Sequence, residues 1–455
     1  MGGRPLGRAK AWPHKNALQD IAARRQALRV SRYWDARCEA VLQPPPNLPA
    51  EDMETYTRVQ ECLTGFVTLP VATVPVDLNL GLYTVDESGS VRESGRESAS
   101  VFVPLAHSEG GLSASLLRGS NATRAAGGVR TYVLADAMTR ASCFQFADVA
   151  EAVVFQRWVE DNAAQMISWL RDPANELRER RTATGIRVIS RHAVLREVTT
   201  HVLGNYCHVL YRFTTGDACG PNMITRNAQA INKEFIAARF SAQTGTPIRR
   251  RVLEANMGGD KKPSYQFFRE GHGKTVLAEA TLDTRVLSRY LHCSVEDIVA
   301  LCHLGLHGSH ASGMQSAAFT PASTVAAIFA ATGQDLGMVG TSSMAHSTAE
   351  ASGNGVHLSI RLPGLEVGTV GGGTVLPHAR AWLQLMGCQG PGSAYRFAQI
   401  VAAATLCLEI SAAAAMAADG SENFYRAHLE LGGLRTRSHV SMEFETDPAA
   451  PPDAD

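Results

Sequence analysis

The chain has 455 residues, 45% of them hydrophobic, and its 43 basic and 43 acidic side chains cancel. That length and apolar fraction support two or three domains with sizeable cores, and the absence of a basic excess argues against nucleic acid as a partner. Nine cysteines without C-x-x-C or Cys/His spacing point to the reduced thiols of an intracellular protein and away from a bound metal.

The opening MGGRPLGRAKAWPHKNALQD is basic but lacks an apolar stretch or cleavage site, and Leu6 breaks a myristoylation pattern, so the chain is read as cytoplasmic. A helical pattern over 17–38 is broken by PPPNLP, which makes residues 1–50 a helical arm. An amphipathic segment from Tyr56 then leads into GFVTLPVATVPVDLNL, whose β-branched alternation and prolines suggest edge strands. DESGSVRESGRESA, residues 86–99, reads as a polar loop. In VFVPLAHSEGGLSAS a strand enters a Ser/Gly-rich helix start with Glu109 at the junction. A carboxylate there is either an N-terminal cap or a working acid.

Short strands are expected at 129–134 and 143–146, a helix over 149–170, half-buried strands within 186–215, and a helix over 224–239 that GDACGPNM opens. Helix, paired strands and helix in succession suggest a small α+β unit inserted into a larger domain. The next stretch, EANMGGDKKPSY over 254–265, sets two adjacent lysines after a Gly-Gly pair and before a proline. It is either an oxyanion site, where backbone and ammonium approach a ligand, or a solvated basic turn. GHGKTVLAEATL reads as a strand, 286–304 and 324–332 as helices, and GQD places Asp335 just past the end of the second helix. GTVGGGT, 368–374, is glycine-rich in the manner of a ligand-cradling loop or a tight turn. The apolar run over 398–418 contains Glu409 and is read as a buried packing helix, with no membrane span. PAAPPDAD marks a disordered tail at 441–455.

The order SEGGLSAS, GDACGPNM, DKKP, GQD, GTVGGGT and a late histidine resembles the 3-hydroxy-3-methylglutaryl-coenzyme A (HMG-CoA) reductase family, whose patterns are EGCLVAS, GDAMGMNM, DKKPAA, GQD and GTVGGGT with a histidine near the C-terminus. The resemblance runs from about Glu61 to His428. It implies an α+β fold: a large domain around a central helix (51–145 and 251–440), a ferredoxin-like dinucleotide-binding domain inserted at 146–250, and a homodimer with active sites at the subunit interface. The implied reaction takes a thioester through a hemithioacetal and an aldehyde to an alcohol, without a metal. Carried over, the catalytic positions are Glu109, Lys261 and Asp335, with His428, or His439 as fallback, protonating the departing thiolate. SRHAVLREV resembles the SRFARLQKL segment of the NADPH-using class, so Ser190 and Arg191 are expected at the 2′-phosphate, where a guanidinium fork suits phosphate. Asp217, Asn222 and Met223 are expected to line the dinucleotide site beside Gly371, Gly372, Gly373 and Thr374.

Other family positions differ. Against RAPVVR, SGNF and NKNLVGS this chain has RASCFQ, EANM and CHLGLHGS. That alignment puts Gln145 where an arginine holds the substrate's terminal carboxylate, Glu254 in place of a serine, and no lysine in the third segment. Asn256, Asp260 and Lys262 complete the expected acyl pocket, with Lys262 as the charge that remains. Burying a carboxylate without its partners costs about 3–5 kcal/mol, so the acyl group is expected to differ from hydroxymethylglutaryl, as would suit specialised metabolism. Thr320 replaces a histidine and Leu117 an asparagine among the coenzyme A contacts, while Ser115 and Arg118 are kept. The expected substrate is therefore an acyl thioester of coenzyme A or of a carrier protein. A genuine HMG-CoA reductase that forms mevalonate and a non-catalytic binding homologue are the other two readings.

Overall fold

A computed structural model describes residues 18–31, 34–44, 48–172 and 189–428. The tail at 441–455, His439 and much of the amino-terminal arm lie outside these residues. Within them the arm contributes helix α1 (Leu18–Arg29), where buried Arg24 donates to the Leu63 carbonyl; α2 (Ala50–Val59) follows the arm.

Two sheets organise the fold. The larger has six strands in the order β2-β1-β3-β8-β10-β9, with β1 Val71–Val85, β2 Val91–Ala106, β3 Val129–Asp136, β8 Lys274–Asp283, β9 His346–Ser352 and β10 Gly355–Leu365. The smaller has the order β5-β6-β4-β7, with β4 Met138–Gln145, β5 Val194–Leu203, β6 Tyr206–Thr214 and β7 Arg250–Val252. Only Ala137 separates β3 from β4, so the chain steps from one sheet to the other within a single residue.

The polar segment at 86–99 is not a loop. Only its first five residues turn, and β2 begins at Val91. It pairs with β1 along its whole length at the sheet edge, where one strand face meets water and needs no apolar alternation. β1, in turn, is not a simple edge strand: from Leu78 it also pairs in parallel with β3. Pro75 is tolerated because it lies in the half of β1 that β3 does not reach.

Helix α10 (Ser393–Ala417), which follows α9 (Pro377–Leu385), runs through the large-sheet core and is buried on every side. Its alanines let neighbours approach closely. A Cβ on Gly119 of α3 (Leu112–Ala125) would sit 1.8 Å from the Cys407 carbonyl oxygen, so these two helices touch backbone to backbone. The polar side chains of α10 are matched to partners. Gln399 accepts from the Gly81 N–H at 2.8 Å and donates to the Gly81 carbonyl at 3.0 Å. Glu409 accepts from Phe319 and Thr320 N–H groups at 2.9 Å each and from the Thr320 and Ser347 hydroxyls, at the N-terminus of α8 (Pro321–Thr332). α10 is long and apolar enough to cross a membrane, but 83% of its most apolar window is buried in this core.

The smaller sheet carries α4 (Val149–Arg171), α5 (Pro221–Ala230), a π-turn at Ile231–Ile236 and α6 (Ala237–Thr244) on one face. Phe144, Phe146, Phe155 and Phe240 interlock there with ring centroids 4.7–5.9 Å apart. Between Leu291 and α7 (Val295–Ala311) the helix predicted over 286–304 breaks at His292, whose φ is +55°, and Ser294 restarts it through a capping box.

Candidate active site

The loop from Glu254 to Tyr265 leaves the smaller sheet and enters the larger one. Lys261 sits on it with φ +58°, a left-handed backbone that a side chain other than glycine adopts at a cost. Its ammonium lies 2.6 Å from Asp335 Oδ2. The other oxygen of Asp335 accepts from the Gly337 N–H at 2.9 Å, which fixes the carboxylate. A Cβ on Gly337 would come within 3.2 Å of Lys261 Nζ, so the glycine makes room for the pair. The hydrogen bond that Lys261 donates to Asp335 raises its pKa above the ordinary lysine value against partial burial, and the charges of Asp335, Asp260 and Glu366 add to the rise. Lys261 is thus a fixed cation beside a half-open surface. This is what stabilising a developing oxyanion requires.

The same loop revises the reading of the acyl pocket. Arg140 on β4, five residues before Gln145, projects into the loop with its side chain only 7% exposed. It reaches Glu254 at 2.5 Å and Asp260 at 3.1 Å. Glu254 is therefore neutralised, not a bare source of repulsion, and its second oxygen accepts from the Asn256 N–H at 2.7 Å. Gln145 lies at the far end of β4, hydrogen-bonded to Tyr206 at 3.3 Å. Arg140, the single arginine of MTRASCFQ, which sequence reasoning passed over in favour of the position of Gln145, is the guanidinium at this loop. With exposed Lys262, whose Nζ is 2.8 Å from the Asp260 carbonyl, two cations besides Lys261 lie at this loop.

The glycine motifs converge beside this loop for a steric reason. A Cβ on Gly333 would lie 2.2 Å from the Gly373 carbonyl oxygen, and one on Gly368 would lie 2.5 Å from Cys219 N. GDACG, GQD and GTVGGGT are thus three backbones in mutual contact. Gln334 locks them: its carboxamide accepts from Gly368 N–H and donates to Gly368 O, both at 3.0 Å. Together they wall a crevice of about 1340 Å³. Asp217, Asn222, Met223, Gly371, Gly372, Gly373, Thr374 and Asp335 line it. Asn222 and Met223 stand in the first turn of α5. The Asp217 carboxylate accepts from Gly392 and Ala394 N–H at 3.0 and 2.9 Å, so it anchors the start of α10 to the crevice wall. Ser190 is tied through its backbone to Asn227, Arg191 is exposed, and His192, which sequence reasoning did not single out, lines the crevice.

Behind the wall lies a buried network that no motif announced. Asp136 accepts from Tyr395 Oη at 2.9 Å and from Thr215 and Gly216 N–H at 3.1 and 2.9 Å, with Lys274 Nζ 3.7 Å away. It joins β3, β8 and α10 to the loop after β6.

Glu109 is exposed and does not cap α3, whose N-cap is Gly111 without a side-chain bond. Among the described residues no ion pair joins it to Lys261, whose partner is Asp335. Ser115 and Arg118 on α3 bond Ser411 of α10, at 2.8 Å from Ser115 and 2.6 Å from the Arg118 guanidinium. His428 is exposed and its ring bonds the Phe424 carbonyl at 2.9 Å. Thr320 is spent on Glu409.

A protein-family model, Hydroxymethylglutaryl-coenzyme A reductase, matches residues 20–433. Among curated proteins, a 3-hydroxy-3-methylglutaryl-coenzyme A reductase of Pyrococcus horikoshii is 35% identical over 83% of this chain and 84% of its own. One of Aeropyrum pernix is 33% identical over 93% and 94%, and one of Haloferax volcanii 33% over 92% and 94%. The class II 3-hydroxy-3-methylglutaryl-CoA reductase from Streptococcus pneumoniae bound to NADPH is 17% identical with a TM-score of 0.56, covering 88% of this chain and 97% of that one. That likeness shows the same α+β fold.

Proposed function

The chain belongs to the hydroxymethylglutaryl-coenzyme A reductase family, and from that premise we propose that it is an NADPH-dependent oxidoreductase that reduces HMG-CoA to mevalonate. The expectation of a different acyl group is corrected by relatives 33–35% identical over most of the chain, each named a 3-hydroxy-3-methylglutaryl-coenzyme A reductase. The premise behind that expectation was a missing guanidinium. Arg140, buried against the lysine loop, supports the corrected reading most directly: with Lys262 it offers a carboxylate-terminated acyl group a fork and an ammonium.

The crevice fits a dinucleotide. Gly371 and Gly372 have positive φ and open space where a Cβ would stand, so backbone and ligand approach closely. In the first turn of α5, where Pro221 has no N–H and the Met223 N–H bonds the Gly220 carbonyl, Asn222 lines the same space at the positive end of the helix, which suits phosphate. Residues that would hold NADPH are Asn222, Met223, Gly371, Gly372, Gly373 and Thr374, with Ser190 and Arg191 toward the 2′-phosphate. When bound, NADPH supplies the hydride for each of two reductions.

Lys261 holds the carbonyl oxygen as it gains negative charge, first in the thioester and then in the aldehyde. Losing such a donor costs about 3–4 kcal/mol of transition-state stabilisation. Asp335 keeps the ammonium protonated and aimed. Glu109 delivers protons to the reduced oxygen, and His428 protonates the thiolate as the carbon–sulfur bond breaks. Among the described residues of one chain no ion pair or hydrogen bond joins either to Lys261, and the partner subunit of a homodimer would complete the site. Exposed Leu304, Leu306, Met314 and Phe319, on α7 and the segment after it, supply an apolar face for such a contact. Light scattering of the purified chain tests the dimer, and a mass of one subunit would refute it. For the activity, full-length protein with HMG-CoA and NADPH should form mevalonate and free thiol, and Lys261→Ala should lower kcat by ~100-fold or more. Binding of NADPH without turnover of HMG-CoA would refute the reading.

A further inference from the structure

Glu366 follows β10 and opens the segment that carries GTVGGGT. Its side chain is fully screened from solvent yet forms part of the crevice wall. Among the described residues neither carboxylate oxygen has a hydrogen-bond donor. A buried carboxylate without donors costs several kcal/mol, and a wall position allows a ligand to bring one.

The groups around it limit what that donor can be. His272 Nε2 lies 3.4 Å from Glu366 Oε2, not aligned as a hydrogen bond. The other ring nitrogen, Nδ1, is 2.7 Å from Thr139 Oγ1, and the Thr139 hydroxyl spends its one proton on the Gly258 carbonyl at 2.8 Å. Nδ1 must then be the donor to Thr139. The ring is held against Phe267, centroids 4.6 Å apart and 14° from parallel. His272 Nε2 thus faces Oε2 without a hydrogen bond, and the carboxylate keeps capacity for a donor from the crevice.

This part of the wall also holds Gln334, Asp335 and Met338, and Asp335 grips Lys261. Glu366 adds, after Asp335 and Asp260, to the charges that raise the Lys261 pKa. It is the end of the crevice where a hydride must meet the carbonyl that Lys261 holds. A reduced nicotinamide ring carries one N–H donor group, its carboxamide, while the adenine amino group belongs with Arg191 at the other end. Resting on the NADPH reading above, we infer that Glu366 is a cofactor-binding residue that accepts a hydrogen bond from the nicotinamide carboxamide, with His272, steadied by Thr139, as its positioning partner.

The test compares NADPH with reduced 3-acetylpyridine adenine dinucleotide phosphate, in which a methyl group replaces the carboxamide NH₂. Dissociation constants come from fluorescence titration of the full-length chain, so turnover is not needed. The native protein should bind the analogue about 10- to 100-fold more weakly, as expected for a lost hydrogen bond to a charged acceptor. Glu366→Leu should bring the two ligands within about threefold of each other. The isosteric Glu366→Gln, which keeps an acceptor, should fall between. A native protein that binds NADPH and the analogue equally overturns the inference without any variant. So does a Glu366→Leu variant that keeps the native ratio. A native protein that binds neither ligand would instead overturn the NADPH reading, and this inference with it.

Discussion

Replacing Arg140 by methionine separates the two readings of the acyl pocket. The side chain is 7% exposed, and the carboxylates it holds, Glu254 and Asp260, are 31% and 23% exposed. Breaking a fully buried pair costs about 3–5 kcal/mol, and the partial solvation of both acids reduces this to about 2–3 kcal/mol of stability. Methionine keeps most of the volume, so packing is little disturbed. If Arg140 also receives the acyl carboxylate, its loss removes a charge-assisted bond and leaves two acids facing the substrate. A deficit of about 3 kcal/mol corresponds to a fall of about 100-fold in kcat/KM for HMG-CoA. The assay is loss of reduced-dinucleotide absorbance with varied HMG-CoA, alongside urea denaturation. NADPH affinity should stay within about twofold, and Gln145→Ala should leave kcat/KM within about twofold. Arg140→Met with kcat/KM within threefold of native would refute the assignment.

Gln334→Ala removes the carboxamide that clasps Gly368, leaving a buried N–H and carbonyl unpaired at about 1–3 kcal/mol. Weaker NADPH binding in fluorescence titration with a lower Tm is expected. Glu409→Ala strands the Phe319 and Thr320 N–H groups inside the core. Urea denaturation should show a loss of about 3–5 kcal/mol, whereas Glu409→Gln, which still accepts, should lose less. The folded-state pKa of Lys261 is raised above 10.5. Its pair with Asp335 therefore contributes stability that is fully present below the unfolded lysine value and is lost as pH rises through the folded one. Both side chains are 46% exposed, so the contribution is under about 1 kcal/mol. The native-minus-Lys261→Ala stability difference should be flat from neutral pH to about 10 and shrink above that.

Element types were legible where local pattern and burial agree. The run over 398–418 is apolar on all sides because α10 is buried on all sides, and Glu409 belongs there because two backbone N–H groups at the start of α8 face it. β2 was misread because an edge strand with a wet face needs no apolar alternation, so RESGRES looks like a loop until its pairing with β1 is seen. The glycine motifs could be found but not explained. That Gly333 and Gly373 exclude side chains because each lies under the other's carbonyl is a tertiary fact, invisible at forty residues' separation. Arg140 was within reach, since MTRASCFQ contains it, but only the strand places the third residue at the lysine loop and Gln145 at the opposite end. Glu366 and His272 carried no signal, because a lone buried acid and a lone histidine read as core.

The central claim is that Lys261, Asp335 and Arg140 serve a two-hydride reduction of HMG-CoA. The most direct measurement is stoichiometry: purified full-length chain, limiting HMG-CoA, excess NADPH, with mevalonate and oxidised dinucleotide both quantified. Two NADPH oxidised per mevalonate formed, with turnover lost in Lys261→Ala, is the predicted result. Tight NADPH binding with no mevalonate would contradict it.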